Sequence, residues 1–391
     1  MNTQVSRRAV LGGAALAMAS HRASAQGITP KAPLAITVVD VAGNLALTQK
    51  AFEAYRRAKP GMVSRFSFTK APAPELPAKL RAQQAANRVD IDIALTGTDG
   101  LAAGIEQNIW AELLPAHAAA LPNLQSILLQ PAWRMQGLAQ GKGVVLSYYP
   151  SGPLLEYMPD KVPSPPTTAE DLLAWTRAHP NRFMYARPAN SGPGRTFIMG
   201  LPYILGDTDP KDPAKGWDKT WAFLKELDKG VEYYPAGTGA TMKELGEGSR
   251  DIIVSTTGWD INPRVLGIVP KEARVTSLRG FHWVTDAHYI CIPRGLDAER
   301  MAVLLDLTSF MMLPAQQAYA YDEGYFYPGP AVKDVPLSMA PKESQDALRE
   351  FGRPEYERLI ADVPTEAPLD AGPLVLAFRR WDEEIGARKT K

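Results

Sequence analysis

Residues 35–59 read AITVVDVAGNLALTQKAFEAYRRAK, and this stretch decides the fold class. Its first six residues are apolar or β-branched up to a final aspartate, which predicts a buried strand. The next four, VAGN, predict a loop. The remaining fifteen predict a helix that ends before Pro60, with Leu45, Phe52 and Tyr55 on one side. A strand, a loop and a helix in this order form the repeating unit of an α/β fold.

The same unit recurs along the chain. Strands are predicted at residues 91–95, 143–149, 183–186 and 252–255, and three of them lead through a polar loop into a helix. Alternating strands and helices favour a parallel α/β sheet. In open sheets of this kind, ligands bind beyond the carboxyl ends of the strands, so the polar loops are the candidate binding site.

The loop at residues 190–196, NSGPGRT, is the strongest of these candidates. A helix start presents free backbone N–H groups and the positive end of a dipole, and Arg195 could complement an anion. Ser191, Gly192 and Arg195 are therefore predicted ligand contacts, although a plain strand-to-helix turn explains the loop equally well. The glycines match neither a Walker loop nor a dinucleotide fingerprint.

The other loops contribute further predicted ligand contacts. The first two units supply Asn44, Thr98 and Asp99, and the loop after residues 252–255 supplies Trp259 and Asp260. Trp259 could form an aromatic wall or a cation–π face, and so could Tyr325 further along the chain. Core packing is at least as compatible with both aromatic residues.

Residues 282–288, HWVTDAH, bring two histidines and a carboxylate close together ahead of a predicted buried strand. Two histidines and a carboxylate can bind a metal, but the strand is expected to bend between them. Asp286 and His288 are instead predicted to contact a polar ligand, with structural hydrogen bonding as the alternative. No metal and no cofactor is predicted.

The sequence lacks three common short catalytic signatures. There is no Gly-x-Ser-x-Gly elbow, no His-Glu-x-x-His and no Cys-x-x-Cys. The single cysteine, Cys291, allows neither an internal disulfide nor a zinc site built from several cysteines. We therefore expect a protein that is not an enzyme.

The first 25 residues have the organisation of an export signal. A basic start with adjacent Arg7 and Arg8 precedes a short run of small apolar residues, and Ala23 to Ala25 resemble a cleavage site. The arginine pair favours the twin-arginine route, with an ordinary secretory signal as the alternative. The mature chain is expected to begin near Gln26 and to be periplasmic.

The charge balance excludes a typical nucleic-acid-binding protein. The chain has 43 basic and 42 acidic residues, and removal of the signal takes away three arginines and no acid. The mature chain would then carry a net charge of −2 without a basic stripe. No later stretch approaches the roughly 18 consecutive apolar residues of a membrane span.

Four short stretches, in order, resemble the extracellular solute-binding proteins of ABC importers, in the group with spermidine/putrescine-, iron- and thiamine-binding members. Residues 166–172, PTTAEDL, are similar to a helix start of that family, and residues 269–272, VPKE, to a turn. Residues 288–293, HYICIP, resemble its crossover strand, and residues 314–318, PAQQA, a later helix start. The resemblance covers nearly the whole mature chain.

This resemblance implies a two-lobe α/β fold of the periplasmic-binding-protein type (type II), with a hinge between the lobes. The implied organisation is an export signal (1–25), the first part of lobe I (26–143), lobe II (144–286), a return to lobe I (287–322) and a C-terminal helical segment packing on lobe II (323–391). His288 stands where polyamine binders place an acid, which argues against a polyamine. Tyr325 and Tyr327 are not adjacent, which argues against iron.

The function implied by the resemblance is that of a periplasmic substrate-binding component of an ABC transporter. The partners would be a small polar solute and a permease in the inner membrane, with no nucleic acid, and the protein would be a monomer. Two alternatives stay open at this point. One is an exported enzyme acting on a small polar substrate, and the other is the ligand-binding subunit of a sensory receptor.

Overall fold

The computed structural model describes residues 29–72 and 75–389, so the predicted export signal at residues 1–25 lies outside it. The described residues contain eleven β-strands: β1 (Leu34–Asp40), β2 (Val63–Lys70), β3 (Ile93–Thr96), β4 (Val144–Gly152), β5 (Leu154–Tyr157), β6 (Phe183–Met184), β7 (Ile252–Ser255), β8 (Arg274–Thr276), β9 (Trp283–Cys291), β10 (Gly329–Pro330) and β11 (Thr365–Glu366).

The same residues contain fifteen α-helices: α1 (Leu45–Ala58), α2 (Leu76–Ala85), α3 (Thr98–Glu106), α4 (Leu124–Ile127), α5 (Gln130–Leu138), α6 (Ala169–Ala178), α7 (Gly192–Leu205), α8 (Asp218–Asp228), α9 (Thr238–Gly246), α10 (Thr257–Val265), α11 (Ala298–Met311), α12 (Pro314–Gln317), α13 (Lys342–Phe351), α14 (Glu355–Asp362) and α15 (Ala371–Glu384).

The strands form two separate sheets. The first has the order β10-β4-β9-β3-β1-β2, with β11 paired to β9, and the second has the order β6-β7-β5-β8. The prediction of a parallel sheet is only partly right. Strand β1 is parallel to β2 and β3, and β6 is parallel to β7, but β9 is antiparallel to both β3 and β4 and β5 is antiparallel to both of its neighbours.

The predicted local elements form where the sequence pattern places them. In α1, Leu45, Phe52 and Tyr55 are buried, as their helical spacing predicted. Helix α6 begins with a capping box, in which the Thr168 hydroxyl accepts from the Asp171 backbone N–H and the Asp171 carboxylate accepts from the Thr168 N–H. Cys291 is buried at the end of β9.

Each sheet has its own hydrophobic core. The first core includes Val38, Ile93 and Ile290 from the centre of the seven-stranded sheet. The second includes Phe183 and Ile252 from the smaller sheet, and α15 adds residues 374, 377 and 381 to it. Apolar burial at roughly 25 cal/mol per Å² is the main stabilising contribution to each core. Two cores make two packed bodies with a cleft between them.

The chain passes from the first sheet to the second between β4 and β5 and returns between β8 and β9. Residues 144–152 and 283–286 therefore belong to the first sheet, whereas the sequence prediction assigned them to lobe II. The limits of the lobes as units stay a prediction. Within the described part of the chain, no helix is long and apolar enough to cross a membrane.

Candidate functional site

A cavity of about 260 Å³ lies between the loops of the two sheets. The first sheet and the segment before β10 supply most of its wall: Val41, Ala42, Gly43, Gly97, Asp99, Tyr149, His288, Tyr325 and Phe326. Loops and helix starts that follow β6 and β7 supply the rest: Asn190, Gly192, Arg195, Thr238 and Trp259. The wall thus comes mainly from the carboxyl ends of strands, where the fold class predicts a ligand site.

The structure brings most of the predicted site residues to this cavity. Six of them line it: Asp99, Gly192, Arg195, Trp259, His288 and Tyr325. Four others lie directly behind the wall: Asn44, Ser191 and Asp286 bond to groups in it, and Thr98 bonds to Asp286. Only Asp260 lies elsewhere.

Arg195 does not present a free charge, contrary to the expectation that it complements an anion. Its Nη1 is 3.1 Å from Asp99 Oδ2, its Nη2 donates to Asp286 Oδ2, and its Nε is enclosed without a hydrogen-bond partner among the described residues. Burial opposes the charge, but Asp286 and Asp99 raise the pKa of Arg195 above its usual value. The guanidinium is therefore charged and already paired.

Asp286 is enclosed by donors and holds Arg195 in place. Its Oδ1 accepts from Thr98 Oγ1 at 3.0 Å and from the Ala287 N–H at 2.9 Å, and its Oδ2 accepts from the Tyr149 hydroxyl at 3.0 Å. Burial alone would raise the pKa of Asp286, but Arg195 and the other donors hold it below its usual value. Asp286 thus positions other groups of the wall.

His288 enters the cavity wall from the centre of β9. Asn44 Nδ2 lies 3.1 Å from His288 Nδ1, and Asn44 Oδ1 accepts from Thr48 Oγ1 at 2.9 Å, which orients the amide. Nδ1 is then the acceptor, and the neutral ring carries its proton on Nε2. Burial lowers the pKa of His288, so the ring is neutral at pH 7 and Nε2 can donate to a solute.

The N-terminal ends of three helices at the cavity are partly occupied by the protein's own side chains. The Asp40 carboxylate accepts from the N–H groups of residues 42, 44 and 45 at the start of α1. Asp99 Oδ1 accepts from the Gly100 N–H in α3, and Ser191 Oγ accepts from the Gly194 N–H in α7. These donors, which suggested an anion site in the sequence, are used internally.

Aromatic rings form a second face of the cavity. The Trp259 and Tyr325 rings are 5.4 Å apart at 84°, and the Tyr325 and Phe326 rings are 4.0 Å apart at 34°. We call Trp259, Tyr325 and Phe326 the aromatic corner. The Tyr325 hydroxyl lies against Gly43, where a Cβ would be only 2.5 Å away and where φ is +80°, so glycine is needed on both counts.

Asp260 does not reach the cavity, although it follows Trp259 directly. Its carboxylate accepts from Arg353 Nε and Nη2, each at 2.6 Å, from the Tyr356 hydroxyl at 2.7 Å, and from Arg264 Nη2 at 3.2 Å. Asp260 is fully buried in this cluster. Asp260 therefore holds α10 against the segment around α13 and α14. The sequence predicted it as a ligand contact, and this placement corrects that prediction.

Several wall residues were not predicted from the sequence: Tyr149, Asn190, Thr238 and Phe326. Tyr149 and Asn190 could have been found by extending the rule of strand ends and loops to every residue of those segments. Phe326 gave no local signal, because its place depends on a left-handed backbone, with φ 56°, in a loop far from the other units. Among the described residues, no group of three or more His, Cys, Asp or Glu side chains could hold a metal ion.

Comparison with known families gives one match over most of the chain. A model described as bacterial extracellular solute-binding protein matches residues 50–349. Comparison with curated proteins gives no match.

Solved structures with the same fold include three binding proteins. A spermidine/putrescine ABC transporter substrate-binding protein from Streptococcus pneumoniae is 13% identical, with a TM-score of 0.59, covering 89% of this chain and 99% of its own. A periplasmic thiamin binding protein is 14% identical, with a TM-score of 0.63 and coverages of 92% and 97%. An apo ferric ion-binding protein A from Pasteurella haemolytica is 12% identical, with a TM-score of 0.59 and coverages of 90% and 97%.

Proposed function

Because this chain belongs to the bacterial extracellular solute-binding proteins, we propose that it captures a small polar solute between its two sheets and delivers it to the permease of an ABC importer. The Streptococcus pneumoniae protein of similar fold is named as an ABC transporter substrate-binding protein, which supports the importer. The activity we propose is binding, with no catalytic step. The protein would act as a monomer.

One observation carries this proposal, namely the cavity that both sheets share. Its wall combines Asp99 and His288 from the side of the first sheet with Gly192, Arg195 and Trp259 from the side of the second. A solute that contacts both sides stabilises the conformation in which they approach each other. At about 260 Å³ the cavity is small even for a small-molecule site, for which about 300 to 1,000 Å³ is usual.

The proposed mechanism is closure around the solute. The open and closed forms are in equilibrium, and the solute shifts it because it touches both sides only in the closed form. We propose Asp99, Gly192, Arg195, Trp259, His288 and Tyr325 as ligand contacts. Asn44, Thr98, Ser191 and Asp286 would position them.

The proposed place of action is the periplasm, reached through the twin-arginine route with cleavage near Gln26. Changing Arg7 and Arg8 together to lysine is expected to abolish export, because that route reads the arginine pair as an address. Cell fractionation measures the outcome. A variant exported as well as the unaltered chain would instead support the ordinary secretory route.

The proposed function is tested by a solute screen on the mature protein. Amino acids, polyamines, phosphonates, sugars and metal ions are added separately, and the melting temperature is recorded. A ligand at 100 times its dissociation constant stabilises the folded state by about 2.7 kcal/mol, which shifts the melting temperature measurably. A solute found in this way should lose its uptake in cells that lack the protein. Uptake that continues unchanged would contradict the transport role.

A further inference from the structure

Within the proposed function, we infer that the solute carries one alkylammonium centre, held between the Asp99 carboxylate and the aromatic corner of Trp259, Tyr325 and Phe326. This inference depends on the proposed function and adds the chemical class of the solute to it. It reverses the sequence-based expectation of an anionic or acceptor-rich group at Arg195.

The first argument is the charge at the cavity. Three carboxylates and one guanidinium act on His288 at the cavity wall: Asp40, Asp99, Asp286 and Arg195. With His288 neutral, these groups sum to a net charge of −2. Arg195 lies between Asp99 and Asp286 and is neutralised by them. Asp40 and Asp286 lie behind the wall, so their charges add to that of Asp99, and the field at His288 favours a cation over an anion.

The second argument is that several donors that would suit an anion are already engaged. The terminal nitrogens of Arg195 bond to carboxylates, and Asp40, Asp99 and Ser191 accept from N–H groups at the starts of α1, α3 and α7. An anionic solute would have to displace these buried bonds. A charge-assisted hydrogen bond of this kind contributes about 1.5 to 3 kcal/mol, so displacement would cost more than one new contact returns.

The third argument is the aromatic corner. Three aromatic residues line the cavity together, two of them with rings set at 84° to each other and the third with its ring against one of these. Ring faces attract alkylated ammonium groups, and enclosed contacts of this type contribute up to about 2 kcal/mol. The combination of a carboxylate and ring faces selects for a cation with apolar substituents.

The fourth argument limits the solute to one cationic centre. Asp99 is the only carboxylate among the described residues that line the cavity, and its side chain is 14% exposed, whereas Asp286 behind it is 1% exposed. On the side of the second sheet the wall contains no carboxylate, and Asn190, Gly192 and Thr238 are neutral there. A second ammonium group would lose its water there without meeting a carboxylate. The neutral end suits a hydroxyl or carbonyl group instead.

The test uses probes of matched shape and different charge. Choline is compared with its uncharged carbon analogue 3,3-dimethylbutan-1-ol and with 3,3-dimethylbutanoate, and butylammonium is compared with butan-1-ol and butanoate. Each probe is titrated calorimetrically into the mature protein up to about 10 mM. This concentration range detects binding with a free energy of only a few kcal/mol. The inference predicts binding of at least one cation, at least about tenfold tighter than its neutral and anionic partners, which is about 1.4 kcal/mol.

Variants connect this selectivity to the two proposed contacts. Asp99→Asn should weaken binding of the cation by about tenfold, the loss of one charge-assisted contact. Trp259→Leu should weaken binding of the same cation by a larger factor than binding of butan-1-ol, because leucine keeps part of the apolar contact but not the ring face. Asp160→Asn, at an exposed acid outside the cavity wall, is the matched control and should bind like the unaltered protein. Trp259→Leu also decides the test if Asp99→Asn does not fold.

Three results would overturn the inference. Neutral or anionic probes that bind as tightly as the cation would refute the charge class and leave the solute-binding function intact. Unchanged cation affinity in both Asp99→Asn and Trp259→Leu would remove the proposed contacts. Failure of every probe, whatever its charge, would reject the class. If the general solute screen were also silent, the proposed function would fail with it.

Discussion

At the scale of single residues, Arg195 shows that a sequence can predict the position of a side chain without revealing its partners. The sequence predicted its place at the start of a helix beside the site, and the structure puts it in the cavity wall. Its two carboxylate partners come from residues 99 and 286, which are distant in sequence. No local pattern reveals that an arginine is paired in this way.

The buried Arg195–Asp286 pair leads to a prediction about stability. Replacing Arg195 by methionine leaves the charge of Asp286 buried without its partner. This change is expected to lower the free energy of unfolding by about 3 to 5 kcal/mol. The double variant Arg195→Met with Asp286→Leu should cost less than the sum of the two single changes, because the residues interact directly. Urea unfolding gives these values.

The exposed pair Lys50–Glu343 is the control for this cycle. Its side chains are 58% and 53% exposed, and Lys50→Met should change stability by less than about 1 kcal/mol. The buried pair would not be a stabilising contact if the changes in the free energy of unfolding at Arg195 and Asp286 were simply additive. The same would hold if Arg195→Met lowered that free energy no more than Lys50→Met does.

Glu156 supplies a prediction about pH. It lies fully buried in β5, with no hydrogen-bond partner for either carboxylate oxygen among the described residues. Burial, and then the charge of Asp260, raise the pKa of Glu156 from 4.5 to about 8. An acid with a raised pKa in the folded state stabilises the fold below its unfolded pKa, and this contribution is lost as pH rises from 4.5 to about 8.

Glu156→Gln removes this dependence. At pH 5 the variant and the unaltered protein should have similar free energies of unfolding, and at pH 8.5 the variant should be the more stable of the two. Thermal unfolding in matched buffers measures both values. A constant difference across this range would show that Glu156 does not titrate within it.

At the scale of helices and strands, much could be predicted because the signals are local. The α1 unit, the cap of α6 and the burial of β9 follow from periodicity and capping chemistry within about fifteen residues. The pairing of β9 with both β3 and β4 could not be predicted in the same way, because β3 is about 190 residues away and β4 about 140. The contact between Asp260 and Arg353 was hidden for the same reason, because 93 residues separate the two.

The Asp260 cluster gives a prediction for α10. Because Trp259 precedes Asp260 in this helix, the cluster holds one wall of the cavity in place. Arg353→Lys keeps the charge but loses the paired hydrogen bonds, and we expect it to lower the free energy of unfolding by about 1 to 3 kcal/mol. The measurement is urea unfolding.

A neighbouring arginine provides the control for this variant. Arg349 lies on α13 with its side chain 71% exposed and paired to Asp346, so Arg349→Lys should have an effect below about 1 kcal/mol. Equal effects of the two lysine variants would contradict a special role for the cluster.

At the scale of the whole molecule, two sheets with separate cores share one cavity, and the chain crosses between them twice. The sheets are connected at β4 to β5 and at β8 to β9, and after β11 the chain crosses again to α15, which packs in the second core. Motion of the two bodies about such connections is a hinge closure. Such a motion captures a small solute if the two sides of the cavity wall surround the solute only in the closed form.

Small-angle X-ray scattering of the mature protein, with and without the solute found in the screen, tests the central claim most directly. The account predicts a smaller radius of gyration and a shorter maximum dimension with saturating solute, and a return to the starting values when the solute is removed. Asp99→Asn, at the same solute concentration, should stay closer to the open form. Scattering curves that superimpose with and without saturating solute would contradict capture by closure.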